Sequence, residues 1–114
     1  MGMDLRDFVR ALRSRQTSVA LEWMNEAQRA GLRLRHFERP SGLDAVDLAI
    51  AAGVLELLAS RWHQTPPDWT REVPAIPEYF CLVDPRLRRC CEVEGPEPLQ
   101  RRRLLAPPDF LTSA

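Results

Sequence analysis

The residues best equipped for chemistry are three cysteines and two histidines: Cys81, Cys90 and Cys91, with His36 and His63. They are the chain's soft metal ligands, but their spacing does not suit a metal. No C-x-x-C or H-x-x-x-H occurs, and adjacent Cys90 and Cys91 do not readily both reach one tetrahedral zinc. A nucleophile pair of Cys90 with His63 is conceivable, with Arg86, Arg88 and Arg89 lowering the thiol pKa. Nothing in the spacing specifies that pair, and no oxyanion loop accompanies it. We therefore read the thiols as structural, with Cys81 in its apolar run acting as a small hydrophobe. No metal ligand, cofactor or catalytic residue is assigned.

Glu92, Glu94 and Glu97 could serve acid–base work or hold a divalent cation. Beside Gly95 and Pro96 they are expected instead to cap the next helix or to face water. Asp44 and Asp47 fall in the first turn of the strongest predicted helix, where the helix dipole accounts for them.

Arginine supplies every one of the 16 basic side chains, against 16 acidic ones, so the formal net charge is zero. A global field drawing nucleic acid or an anionic membrane is absent, and such binding needs a local patch. The sequence offers two: Arg86, Arg88 and Arg89, then Arg101, Arg102 and Arg103. Either patch could meet RNA, DNA or an acidic protein. No aromatic platform interleaves with them, which favours solvated arginines paired with Glu92, Glu94, Glu97 and Asp109.

These residues must be positioned by a chain that changes character midway. Residues 4–15 carry Leu5, Phe8, Val9 and Leu12 at helical spacing. Residues 18–30 follow with Val19, Leu21, Trp23, Met24 and Ala27, capped by Thr17 or Ser18 and stopped by Gly31. Residues 32–37 alternate apolar and basic, the pattern of a strand. A helix-turn-helix is a poor fit, because the helix after this segment is too apolar for a DNA groove. That helix, residues 42–63, has a wide apolar stripe from Leu43 to Leu58 and a capping pattern in Ser41 and Asp44. Ala45, Ala49 and Gly53, four apart, make a groove of small residues where another backbone can approach. It is expected to be the central buried helix.

Nine of the ten prolines lie after residue 65. Proline fixes φ and cannot donate a backbone hydrogen bond, so long helices and central strands are excluded there. Trp69, Phe80 and Phe110 recur between the prolines, which sets the segment apart from a polar linker. It reads as an extended arm with short helices beginning at Pro85 and Pro96, the second running to about residue 105. An apolar run at residues 78–83 is available for a minor strand pairing. The expected fold is one mostly helical domain over 1–114, with a helical body (1–65) and a proline-rich arm (66–114) that packs on the body or on a partner.

No stretch of the sequence reaches the length of an apolar membrane span, there is no secretory signal pattern, and three cysteines close no disulfide set. The expectation is a cytoplasmic protein with reduced thiols and no membrane association.

Pro66-Pro67-Asp68-Trp69-Thr70, Pro98-Leu99-Gln100-Arg101-Arg102-Arg103 and the Ala106 to Leu111 close carry one further reading. Together they resemble the tail of small bacterial proteins of toxin–antitoxin operons, with a PPxWT element followed by PxxFRRR. Leu99 stands where that pattern has Phe. Such proteins are sometimes joined to a helix-turn-helix domain or encoded beside a nucleotidyltransferase. The resemblance implies the antitoxin or regulatory member of a two-gene toxin–antitoxin or defence pair, with a protein partner encoded nearby. Trp69, Arg101, Arg102, Arg103 and Phe110 are the expected partner contacts, since Trp and Arg dominate interfaces and a proline-stiffened arm loses little further freedom on binding. The alternatives are a nucleic-acid-binding regulator using Arg86, Arg88 and Arg89, or a small toxin or enzyme; a homodimer is compatible with each.

Overall fold

Helix α3 (Ala45–Trp62) forms the middle of the fold, as its stripe predicts. The computed structural model describes residues 4–112. Asp44, in extended conformation, caps α3 by accepting a hydrogen bond from the Asp47 amide at 2.8 Å, so the cap is Asp44 rather than Ser41. Ala49, Ile50, Val54, Leu55 and Leu58 are fully enclosed, and so is Gly53 between them.

Helices α1 (Leu5–Arg13) and α2 (Thr17–Arg29) lie against one side. The α1 cap is Asp4, which accepts from the Arg6 amide. Phe8 and Val9 of α1 are buried. Phe8 stacks on Trp23 of α2 with ring centres 4.3 Å apart. Neither Thr17 nor Ser18 caps α2; both belong to its first turn, after an N-cap at Gln16 that makes no side-chain bond. Val19, counted on the apolar face, is exposed. Gly31 ends the helix at a φ of +68°, the left-handed conformation that suits glycine.

Residues 32–37 do not form a strand. They make a 3-10 turn at Leu34–His36. An alternating pattern needs a neighbouring ladder to become a strand, and none passes here. Leu34 is instead driven into the core, where the Gln64 side chain accepts its backbone N–H at 2.9 Å. The flanking arginines are left in water.

The arm closes on its own body. A 3-10 turn (Asp68–Glu72) lies against α3, and strand β1 (Phe80–Cys81) pairs in parallel with β2 (Leu104–Leu105). Between the strands come a 3-10 turn at Pro85–Leu87 and helices α4 (Arg88–Glu94) and α5 (Glu97–Gln100). The helix expected from Pro96 to about residue 105 therefore stops early. Arg103 turns left-handed at φ 66°, and Leu104 and Leu105 enter the two-strand pair, where both are buried. Val73, Ile76, Leu82, Leu99, Phe110 and Leu111 also bury themselves, joining the arm to the core of the body. The groove of small residues receives α5: a Cβ on Gly53 would stand 2.8 Å from Leu99 Cδ2 and 3.3 Å from the Pro98 carbonyl oxygen.

The molecule is thus mostly helical, with one short two-stranded parallel pair. Among the described residues, no helix is long and apolar enough to cross a membrane.

Candidate functional site

The arginines sort into those held by protein groups and those left over. Arg102 belongs to the first set. It is only 2% exposed, and its guanidinium faces the Glu56 carboxylate of α3. It also donates to the Thr70 carbonyl at 2.7 Å and the Pro98 carbonyl at 2.9 Å. It is an internal cross-link and has no surface with which to meet a partner, so the expected contact at Arg102 is corrected. The three arginines are adjacent in sequence, yet Arg102 points inward because the chain turns between α5 and β2. Arg101 pairs with Glu56 as well, and lies 3.8 Å from Glu97, with about half its side chain exposed. Burial pushes the Glu56 carboxyl upward, but the Arg102 and Arg101 guanidiniums outweigh it and hold the carboxyl below its ordinary value.

The other expected contacts are also largely spent inside the fold. Phe110 is buried, and its carbonyl accepts from Arg61 of α3. Trp69 is half-buried, with its indole N–H donating to the Phe37 carbonyl at 2.9 Å. Arg103 donates to the Pro77 carbonyl at 2.7 Å and remains exposed. Arg86 is clasped by Asp84, and Arg88 by Glu92 at 2.7 Å. Arg89 alone of that cluster has no carboxylate partner among the described residues.

The thiols and histidines do not converge. Cys91 is buried, and burial pushes its pKa up; Cys90 is exposed on α4. His63 lies at the far end of α3, in a cleft lined by Arg33, Arg35, Gln64 and Thr65. Among the described residues no group of three His, Cys, Asp or Glu is placed to hold a metal ion.

No family model, curated protein or solved structure matches this chain. The chain's own surface is therefore the guide, and two of its features stand out.

The first is apolar. Tyr79, Leu87 and Val93 of the arm are 54%, 49% and 74% exposed. The Arg88 and Arg103 guanidiniums lie 5.8 and 5.9 Å from the centre of the Tyr79 ring. Glu92, Gln100 and Leu105 join Tyr79 around a shallow cleft of about 410 Å3.

The second is basic, and lies outside the two arginine clusters of the arm. Arg33, Arg35 and Arg39 have neither a carboxylate nor a carbonyl partner among the described residues. From position 29 to 39 the chain carries four arginines and one carboxylate, Glu38. That imbalance was the available signal, hidden by the resemblance of the segment to a strand.

Proposed function

We propose that this chain is an interaction module, the neutralising or regulatory member of a bacterial two-gene toxin–antitoxin or defence pair. It works in the cytoplasm by binding the protein product of the adjacent gene. The contact face is the outer surface of the arm around α4. One observation carries the reading: Tyr79, Leu87 and Val93 leave large apolar side chains in water on a segment whose other large apolar residues are buried or half-buried. Covering such a side chain stabilises a complex by about 1.5–3 kcal/mol when burial is complete. Tyrosine beside arginine is also the composition of interface centres. The tail motifs that resemble toxin–antitoxin proteins support the same reading.

The test is co-expression with the adjacent gene product, followed by calorimetric titration of the purified pair. Leu87→Ser with Val93→Ser is expected to weaken the complex by about 100-fold, the loss of two buried apolar contacts, while the melting temperature of the free protein stays put. An affinity that the double variant leaves unchanged would sink the assignment of this face. Self-association of the purified chain, abolished by the same variant, would mean that the face serves a second copy instead.

A further inference from the structure

The basic end of the molecule has a shape as well as a charge. A small cleft of about 130 Å3 is lined by Arg33, Arg35, His63, Gln64 and Thr65. A larger one of about 440 Å3 shares Arg33 and Gln64 with it and adds Gln28, Leu32 and Trp62. Every ionisable side chain lining the first cleft is an arginine or a histidine, and no carboxylate lines either.

Ordinary structural duties do not explain these residues. Arginines near the ends of α2 and α3 can cap the last helical carbonyls, but Arg33 donates to no carbonyl among the described residues, and Arg35 reaches only the neighbouring His36 ring, at 3.4 Å. Arg61 is different: its guanidinium serves the Phe110 and Pro108 carbonyls, so it is not free to bind a ligand. Gln64 is fixed by accepting the Leu34 N–H, which leaves its NH2 group as a positioned donor. His63 closes α3 in the left-handed conformation, with φ 55° and ψ 44°. Glycine is the usual residue at such a helix end, and a residue with a Cβ takes it less readily. Arg15, Arg103 and Leu111 share this left-handed conformation, so at His63 it serves to end α3 and to place the imidazole at the cleft.

We propose that the two clefts together bind a nucleotide, with its phosphates on Arg33, Arg35, His63 and Thr65 and its base against Trp62 and Leu32. Guanidinium forks match phosphate oxygens two at a time. The Thr65 hydroxyl and the Gln64 amide add neutral donors. Trp62, which lines the larger cleft, supplies an aromatic side chain on which a base can stack. This site is separate from the α4 face and stands or falls without it.

The experiment is calorimetric titration of the intact protein with ATP, ADP, adenosine and inorganic pyrophosphate at one ionic strength. ATP is expected to bind most tightly, pyrophosphate more weakly, and adenosine by at least about tenfold less than ATP for want of charge-assisted bonds. Arg33→Ala and Arg35→Ala are each expected to weaken ATP by about tenfold or more, the loss of a guanidinium–phosphate pair. His63→Gly gives the sharper reading: melting temperature kept or raised by relief of the left-handed strain, with ATP affinity reduced. Arg101→Ala, at a guanidinium that pairs with Glu56 and Glu97 and lines neither cleft, should leave ATP affinity as it is. The proposal is overturned if ATP does not bind at millimolar concentration, if adenosine binds as well as ATP, or if the Arg33 and Arg35 variants bind ATP like the parent. Binding of oligonucleotides alone would overturn it too, because it would place the recognition on an extended surface rather than in the clefts.

Discussion

Arg102 grips Glu56 with two parallel hydrogen bonds, Nη1 to Oε1 at 2.7 Å and Nη2 to Oε2 at 3.1 Å. This fork is the polar tie between the arm and the central helix, set among the apolar residues that join them. Removing one member of such a pair strands the other, which costs about 3–5 kcal/mol in a buried site. Arg102→Met should therefore lose a large part of the whole stability, which for a domain of this size is about 5–15 kcal/mol. Arg102→Glu, which would set two carboxylates face to face, should not fold. Glu56→Leu combined with Arg102→Met should recover part of the loss, because no unpaired charge remains. Urea unfolding of the three variants checks this. An Arg102→Met protein with the parent's midpoint would show that the fork is not a structural tie.

Gly53 tests the approach of the arm to α3. Alanine would raise helix propensity there by about 1 kcal/mol. Its Cβ would also stand 2.8 Å from Leu99 Cδ2 and 3.3 Å from the Pro98 carbonyl oxygen. Leu99 is fully buried, so its side chain would have to repack within the core. Overpacking of this kind costs about 1–3 kcal/mol. Gly53→Ala is expected to come out less stable than the parent, and Gly53→Leu to detach α5 or prevent folding. Thermal melts decide; a Gly53→Ala protein that melts higher would mean that α5 is not seated in the groove.

Trp69 distinguishes anchoring from partner binding. Its indole N–H bonds to the Phe37 carbonyl, and its ring packs against the core. Trp69→Phe retains most of the packing and drops the bond, at about 0.5–1.5 kcal/mol. Trp69→Ala drops both and should cost about 3–5 kcal/mol. If Trp69 were a partner contact, the free protein would melt normally with either change and only the complex would weaken. The melting temperature of the free chain separates the two.

What the sequence disclosed, and what it concealed, follows from the range of the forces. The stripe of α3, the Gly31 stop and the small-residue groove are local patterns, and each was legible. Their packing partner was not, because nothing in Pro98 or Leu99 announces a contact 46 residues back along the chain with Gly53. The run at Arg101, Arg102 and Arg103 looked like one surface, yet the turn into β2 sends the middle guanidinium inward and its neighbours outward. Charge pairing was equally hidden. Arg86 and Arg88 find carboxylates close in sequence, whereas Arg33 and Arg35 find none, and only the folded chain shows which arginines remain available. Nothing in the sequence around His63 announces its left-handed backbone, which ends α3 where glycine is the usual residue.

Acid should unfold the protein through carboxylates tied to cations and amides. The Asp47 amide and then Arg13 hold Asp44 below its ordinary value of 3.8, and the two arginines hold Glu56 below its ordinary 4.5. A carboxylate whose folded pKa is depressed adds stability that is fully present above its unfolded pKa. That stability is lost as pH falls through the folded value. Stability should thus be flat near neutrality, begin to fall below about pH 4.5, and go on falling below the ordinary aspartate range. Asp44 is exposed, so salt should screen the Arg13 part of its contribution, while the enclosed Arg102–Glu56 fork should resist salt. Asp44→Asn retains an N-cap acceptor and removes the titration. Its expected result is a folded protein at neutral pH with a shallower fall in acid, measured by urea midpoints from pH 7 down to about pH 3. A profile that rises on acidification, or an Asp44→Asn protein with the parent's full acid slope, would place the acid-sensitive group elsewhere.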